Sequence, residues 1–187
     1  MPWPATQRAT TRQMILDSAS RLFALEGFEK VSIDSIMESA GLTRGPSIVT
    51  SHPKRSFTPK LLEMPRTRGA ILEEAGKDGL QQVVKDYLRM DHRDASRMHC
   101  PLAFMVNDAA QQDGAIQESY TQVLAAFITR LESGLKSTTE TDTRQHALQI
   151  AVGMIGGLAL ARAVADDQLA QEILTACQQG CLQLVEL

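Results

Sequence analysis

The sequence predicts an all-α protein: an N-terminal three-helix helix-turn-helix head on a larger helical body. Apolar residues recur at three- and four-residue spacing along most of the chain, and aromatic residues are scarce at 4% although 43% of residues are hydrophobic. The two closing runs, ALQIAVGMIGGLALARAV and LAQEILTACQQGCLQLV, are long, aliphatic and rich in alanine. A chain of 187 residues can bury a real core with such helices.

Taken in order, residues 1–10 are expected to form a loose arm, because Pro2 and Pro4 discourage helix; Arg8 and Arg12 are free to brush a phosphate backbone or to be solvated. The first firm helix is expected over 11–26, where Ile15, Ala19, Leu22 and Phe23 share a face and Gly27 ends the run. Phe28 and Val31 then pack back beneath it. Ser32 is a good N-cap, with Ile33, Ile36 and Met37 forming the buried stripe of the next helix. Ala40 and Gly41 permit a sharp turn, Leu42 plugs the corner, and Thr43 can cap a further helix beginning at Arg44 and Gly45. Residues 27–45, GFEKVSIDSIMESAGLTRG, therefore describe two short helices at a tight corner, a helix-turn-helix whose second helix would enter the major groove.

The longer stretch TRQMILDSASRLFALEGFEKVSIDSIMESAGLTRG resembles the N-terminus of TetR-family transcriptional regulators, and the helix ending in LFALEGF makes that resemblance more specific than a bare helix-turn-helix. The resemblance implies a ligand-responsive repressor with a DNA-binding domain over 1–56 and an effector-binding and dimerisation domain over 57–187. It also implies double-stranded operator DNA as a partner. Contacts carry over only to matching positions: Ser32, Thr43, Arg44, Gly45 and Lys54. Ser32 and Lys54 would hold backbone phosphate, Thr43 phosphate or base, and the Arg44 guanidinium a guanine edge. As caps, Ser32 and Thr43 have a structural role regardless.

After Gly45 the pattern departs from the family. The segment PSIVTSHPKRSFTPKLLEMPRT holds four of the seven prolines, at six- or seven-residue spacing that prevents a long helix. Relatives place an aromatic pair there, whereas this chain has Ile48 and Thr50 where Tyr and His are usual. Pairing the third base of each codon with the first two of the next allows Pro46 to Pro53 to spell A-F-Y-R-H-F-A-S, the family pattern. Residues 46–67 thus fit a one-base slip restored near Arg68, against the alternative of a divergent connector. Loss of the aromatic that anchors the recognition helix implies weak or missing DNA affinity, and so a second reading, a dimeric small-molecule-binding protein with impaired DNA binding.

In the body, helices are expected over 68–75 and 78–90, separated by Gly76 and Gly79, with Leu80, Val83, Val84, Tyr87 and Leu88 on one face. DHRDASRMH reads as a charged loop and CPLAFMVNDAAQQ as one helix. A helix over 113–137, the polar linker STTETDT, and helices over 143–165 and 167–185 complete the chain. The first of the closing pair is apolar nearly all round, with Gly153, Gly156 and Gly157 permitting close approach, so it wants partners on both faces. Composition leaves open whether those partners lie within the protomer; the family resemblance implies a homodimer through the last two helices, about 143–185. An apolar effector pocket is expected among Tyr87, Met90, His99, Cys100, Phe104, Met105, Tyr120, Phe127 and Met154. Cys100, beside His99 at a helix start, is a candidate for a lowered thiol pKa.

Charge and motifs narrow the function. The net charge is −3, yet residues 1–68 carry ten Lys or Arg against six acids and 69–187 nine against sixteen, a basic head on an acidic body suited to meeting phosphate at one end. No membrane-length apolar run or signal peptide appears, so a cytoplasmic location without a membrane partner is expected. Cys100, Cys177 and Cys181 make neither a disulfide framework nor a zinc site, and Cys177 and Cys181 share a helix face as small hydrophobes. No phosphate loop, nucleophile elbow, metal triad or carboxylate pair is present, and the HRD string lacks every other kinase element. No enzyme activity, metal or cofactor is expected.

Overall fold

In a computed structural model of the protein, residues 5–27, 30–42, 69–94, 101–111, 114–135 and 140–187 are described. Among them the chain is helical, running α1 (Ala5–Glu26), α2 (Ile33–Ser39), α3 (Gly69–Tyr87), α4 (Met90–Arg93), α5 (Pro101–Phe104), α6 (Val106–Gln111), α7 (Gly114–Gly134), α8 (Glu140–Ala163) and α9 (Asp167–Glu186). The expected loose arm is largely helix: α1 starts at Ala5, directly after the last N-terminal proline, because nothing from Ala5 onward removes an amide donor.

Four long helices build the body, α3 packing on α7 and α9, and α8 on the same two. Their core includes Leu80 and Val84 of α3, Ile128 and Leu131 of α7, Ile150, Met154 and Leu158 of α8, and Leu174 and Val185 of α9. Each of these is at most 5% exposed, so the spacing of apolar residues on each helix is spent on one shared interior. Residues Asp142–Ala163 have the length and hydropathy of a membrane span, but one side of that helix is this core.

Glycine sets how closely α8 and α9 approach. A methyl group at Gly157 would lie 2.8 Å from Cys177 Sγ and 2.9 Å from its Cβ, and one at Gly153 would lie 2.8 Å from Cys181 Sγ. The two thiols therefore fill the notches that the glycines leave. Burial pushes the Cys177 thiol up, and burial together with neighbouring Cys177 pushes Cys181 to about 11.

Two body elements differ from expectation. The two helices expected over 68–90 do part within α3 at Gly76, whose φ of 55° and ψ of −140° suit only glycine, while Gly79, expected beside it in the break, stays helical and buried. The charged loop begins with a helical turn, because His92 is buried, donates from Nδ1 to Tyr87 O at 2.7 Å, and meets the Tyr87 ring edge-on at 4.6 Å. The single helix expected over CPLAFMVNDAAQQ is broken at Met105 into α5 and α6. That break lets Leu102 and Ala103 join the body core while Phe104 packs elsewhere.

Arg93 locks the corner between α8 and α9. Its Nε donates to Ala161 O at 2.7 Å and its Nη2 to Val164 O at 2.7 Å, while Nη1 pairs with Asp167. One guanidinium thus serves the carbonyls left open at the end of α8 and reaches the first turn of α9. Arg162 Nη2 returns the contact by donating to His92 O at 2.9 Å. Asp166 caps α9 by accepting from the amides of Gln168 and Leu169.

Candidate nucleic-acid interface

The head is built by local chemistry. Gly27, at φ 80°, closes α1 with its amide donating to Phe23 O at 3.0 Å. Ser32 caps α2: its hydroxyl accepts from the Ser35 amide at 3.0 Å, and the Ser35 hydroxyl accepts from the Ser32 amide at 3.0 Å. This is a capping box with serine at both corners.

At the other end of α2 the turn is a Schellman motif. The Leu42 amide donates to Met37 O and the Gly41 amide to Glu38 O, each at 2.9 Å, with Gly41 left-handed at φ 68°. A Cβ there would be strained whatever the space, which is why the corner of this head carries glycine. Leu42 then packs on the head core, as a plug at that corner should.

That core joins Leu16, Ala19 and Phe23 of α1 to Val31, Ile33, Ile36 and Met37. Arg21 of α1 donates to the Ser39 hydroxyl at 2.6 Å, tying α1 to the end of α2. Two residues from far along the chain complete the cluster: Ile116 of α7, 1% exposed, and Phe104 of α5. Nothing in the sequence near either residue announces that role.

Of the residues expected to meet DNA, Ser32 sits exposed at the start of α2, its hydroxyl already engaged in the cap. Thr43, Arg44, Gly45 and Lys54 lie outside the described residues, as does all of 46–67. His99 and Cys100, from the expected effector pocket, lie outside them too. Met154 is fully buried in the body core, and Tyr87, Met90, Tyr120 and Phe127 pack against that core half-buried. Met105 is buried, whereas Phe104 packs on the head cluster. No group of three or more His, Cys, Asp or Glu that could hold a metal is found among the described residues.

Residues 15–45 match the family model described as bacterial regulatory proteins, tetR family. The match ends where the proline-rich stretch begins. No curated protein matches by sequence. The fold matches the crystal structure of Escherichia coli NemR in its reduced form, with a TM-score of 0.71 and 15% identity over 92% of this chain and 95% of that one. It also matches a TetR transcriptional regulator from Legionella pneumophila, with a TM-score of 0.71 and 19% identity over 96% and 98% of the two chains. The segment that matches the family model thus lies in the head, and the helical body it is joined to shares the fold of those two structures.

Proposed function

We propose that the protein is a ligand-responsive repressor acting as a cytoplasmic homodimer on double-stranded operator DNA, with no catalytic activity of its own. The observation that carries the dimer is an apolar face left uncovered on the closing helix pair. On α8, Leu148 is 40%, Val152 71% and Leu160 58% exposed, and they recur with Gly156 at four-residue steps. On α9, Leu169, 44% exposed, continues through Ile173, Ala176 and Gly180 along one stripe. Large apolar side chains side by side in water mark an interface, and an isologous pair is the simplest way to cover such a face. In the protomer, Val152→Glu places a charge in solvent at no cost to the core. In the dimer it buries two charges, so light scattering should show a monomer with unchanged helix content. A dimer that persists in this variant would refute the assignment.

The effector in this reading is an apolar small molecule held among the middle helices, with Tyr87, Met90, Tyr120, Phe127 and Met154 contributing, and His99 and Cys100 near them in sequence terms alone. The DNA contacts are Ser32, Thr43, Arg44, Gly45 and Lys54. Fluorescence anisotropy of the protein on its own promoter fragment at two salt concentrations tests them. Binding that weakens steeply with salt supports the repressor, since phosphate contacts release counterions. One observation favours a second reading, a dimeric small-molecule binder with impaired DNA binding: the family match stops at residue 45 and the prolines follow at once. Salt-insensitive or absent binding would favour it.

A further inference from the structure

Cys177 and Cys181 stand one turn apart on α9, both are free thiols, and both face α8. Each sulfur lies in the notch of a glycine there, Cys177 against Gly157 and Cys181 against Gly153, where a methyl group would come within 2.8 Å of it. Those glycines are themselves one turn apart, so no side chain of that stripe of α8 stands between the two sulfurs. Cys181 is buried and makes only a weak contact, to Ile150 O at 3.7 Å, whereas Cys177 is half-buried and gives access from solvent.

Three chemistries are open to two such thiols, and geometry separates them. A disulfide needs Cβ atoms about 3.5–4.5 Å apart, but residues four apart on an intact helix hold theirs about 5–6 Å apart. A tetrahedral ion needs four donors, and no group of three or more His, Cys, Asp or Glu that could hold a metal is found among the described residues. A linear, two-coordinate ion needs two sulfurs and nothing else. With metal–thiolate bonds of about 2.3 Å it spans about 4.6 Å, which two side chains one turn apart meet by small rotations.

We propose that Cys177 and Cys181 form a two-coordinate site for a soft divalent ion of the mercuric type, seated between α8 and α9. On binding, two S–H bonds break, two metal–sulfur bonds form and two protons leave for solvent, with no change of oxidation state. Thiolates select soft ions, and a divalent ion with two thiolates carries no net charge. A monovalent copper or silver ion would leave one negative charge against the buried face of α8, which is costly. Burial that keeps both thiols protonated in the free protein acts in the same direction, because this surface resists any uncompensated charge. Cys177 is the point of entry and Cys181 supplies the closing bond.

Titrating the full-length Cys100→Ser protein with mercuric chloride tests this, since that substitution leaves these two as the only thiols. Over the first equivalent the protein should release about two protons per ion, keep its helix content and melt at a higher temperature, because the ion binds the folded pair. Mass spectrometry should find one ion within a single chain. Cys177→Ala and Cys181→Ala, each made in the Cys100→Ser protein, should release about one proton per ion, a two-fold drop, and lose the rise in melting temperature. Release of one proton per ion without either substitution, chains joined through the ion, two-proton release that survives either substitution, or loss of helix content on binding would each overturn the site. Operator DNA enters none of these readouts, so the result is independent of the regulator reading.

Discussion

Replacing Gly157 by alanine should be among the most damaging single-methyl changes in the body. The new Cβ would lie 2.9 Å from Cys177 Cβ, 2.8 Å from its Sγ and 3.3 Å from Leu88 Cδ2. Carbon atoms in contact prefer about 3.5–4.0 Å. Both Cβ atoms are fixed to helix backbones, so no side-chain rotation relieves the overlap and α8 and α9 must part by roughly half an ångström. Overpacking of this kind costs about 1–3 kcal/mol. Alanine returns up to about 1 kcal/mol of helix propensity. The net loss of about 1–2 kcal/mol should lower the melting temperature by roughly 2–8 °C for a chain of this size.

Gly153→Ala provides the internal comparison. Its Cβ would meet only Cys181 Sγ, at 2.8 Å, the tip of a side chain that can turn at the expense of its weak contact to Ile150 O at 3.7 Å. The loss should be smaller, and Cys181→Ala should recover most of it, because it removes the one atom in the way. Cys177→Ala should rescue Gly157→Ala only in part, since the Cβ to Cβ overlap remains. Urea unfolding of the parent, the four single variants and the two double variants, followed by circular dichroism at one protein concentration with reductant present, gives the stabilities and the two couplings. A Gly157→Ala variant as stable as the parent, or rescued as fully as Gly153→Ala, would refute the reasoning.

Gly156→Ala, one residue away, should have the opposite sign in the protomer: no atom lies within 4 Å of its new methyl group, so about 0.5–1 kcal/mol of helix propensity is gained, measurable in urea under dilute conditions. Arg93→Ala should cost roughly 2–4 kcal/mol by stripping two carbonyls and Asp167 of their donor, and Arg93→Lys should restore less than half, because an ammonium lacks the fork that reaches several acceptors at once; thermal melts decide both. Cys181 should resist iodoacetamide in the native protein until pH approaches about 11. Its folded pKa is raised above the ordinary 9.0, so its contribution to stability is full below about pH 9 and is lost as pH rises through about 11; Cys181→Ala should flatten that part of the stability curve.

Where the chain's chemistry is local, the sequence was enough. Gly27, Ser32 and Gly41 each act on amides within five residues, so the end of α1 and both ends of α2 could be read from residue type and spacing. The stripe Ile33, Ile36, Met37 followed from periodicity alone. Long-range partners left no such trace. Arg93 looked like one charge in a polar run because its acceptors lie 68 and 71 residues away. The continuous pattern of CPLAFMVNDAAQQ hid the break at Met105, since both halves are helical and only their destinations differ. For the candidate site, Ser32 is the one expected DNA contact whose surroundings are described; of the expected pocket residues, Tyr87, Met90, Tyr120, Phe127 and Met154 belong to the body core or pack on it and Phe104 packs on the head core.

The borrowed residues in the head cluster also bear on how such a chain can be recombined. With Phe104 and Ile116 closing the interior formed by Leu16, Phe23 and Ile36, the N-terminal segment is not a cassette that can be spliced onto an unrelated body. A chimera joining it to a foreign scaffold would leave a hollow where Ile116 sits, whereas one that carries matching side chains at 104 and 116 should fold. Through evolutionary drift, substitutions at Phe23 or Ile36 should be accompanied by volume changes at Phe104 or Ile116, a covariation linking residues far apart along the chain.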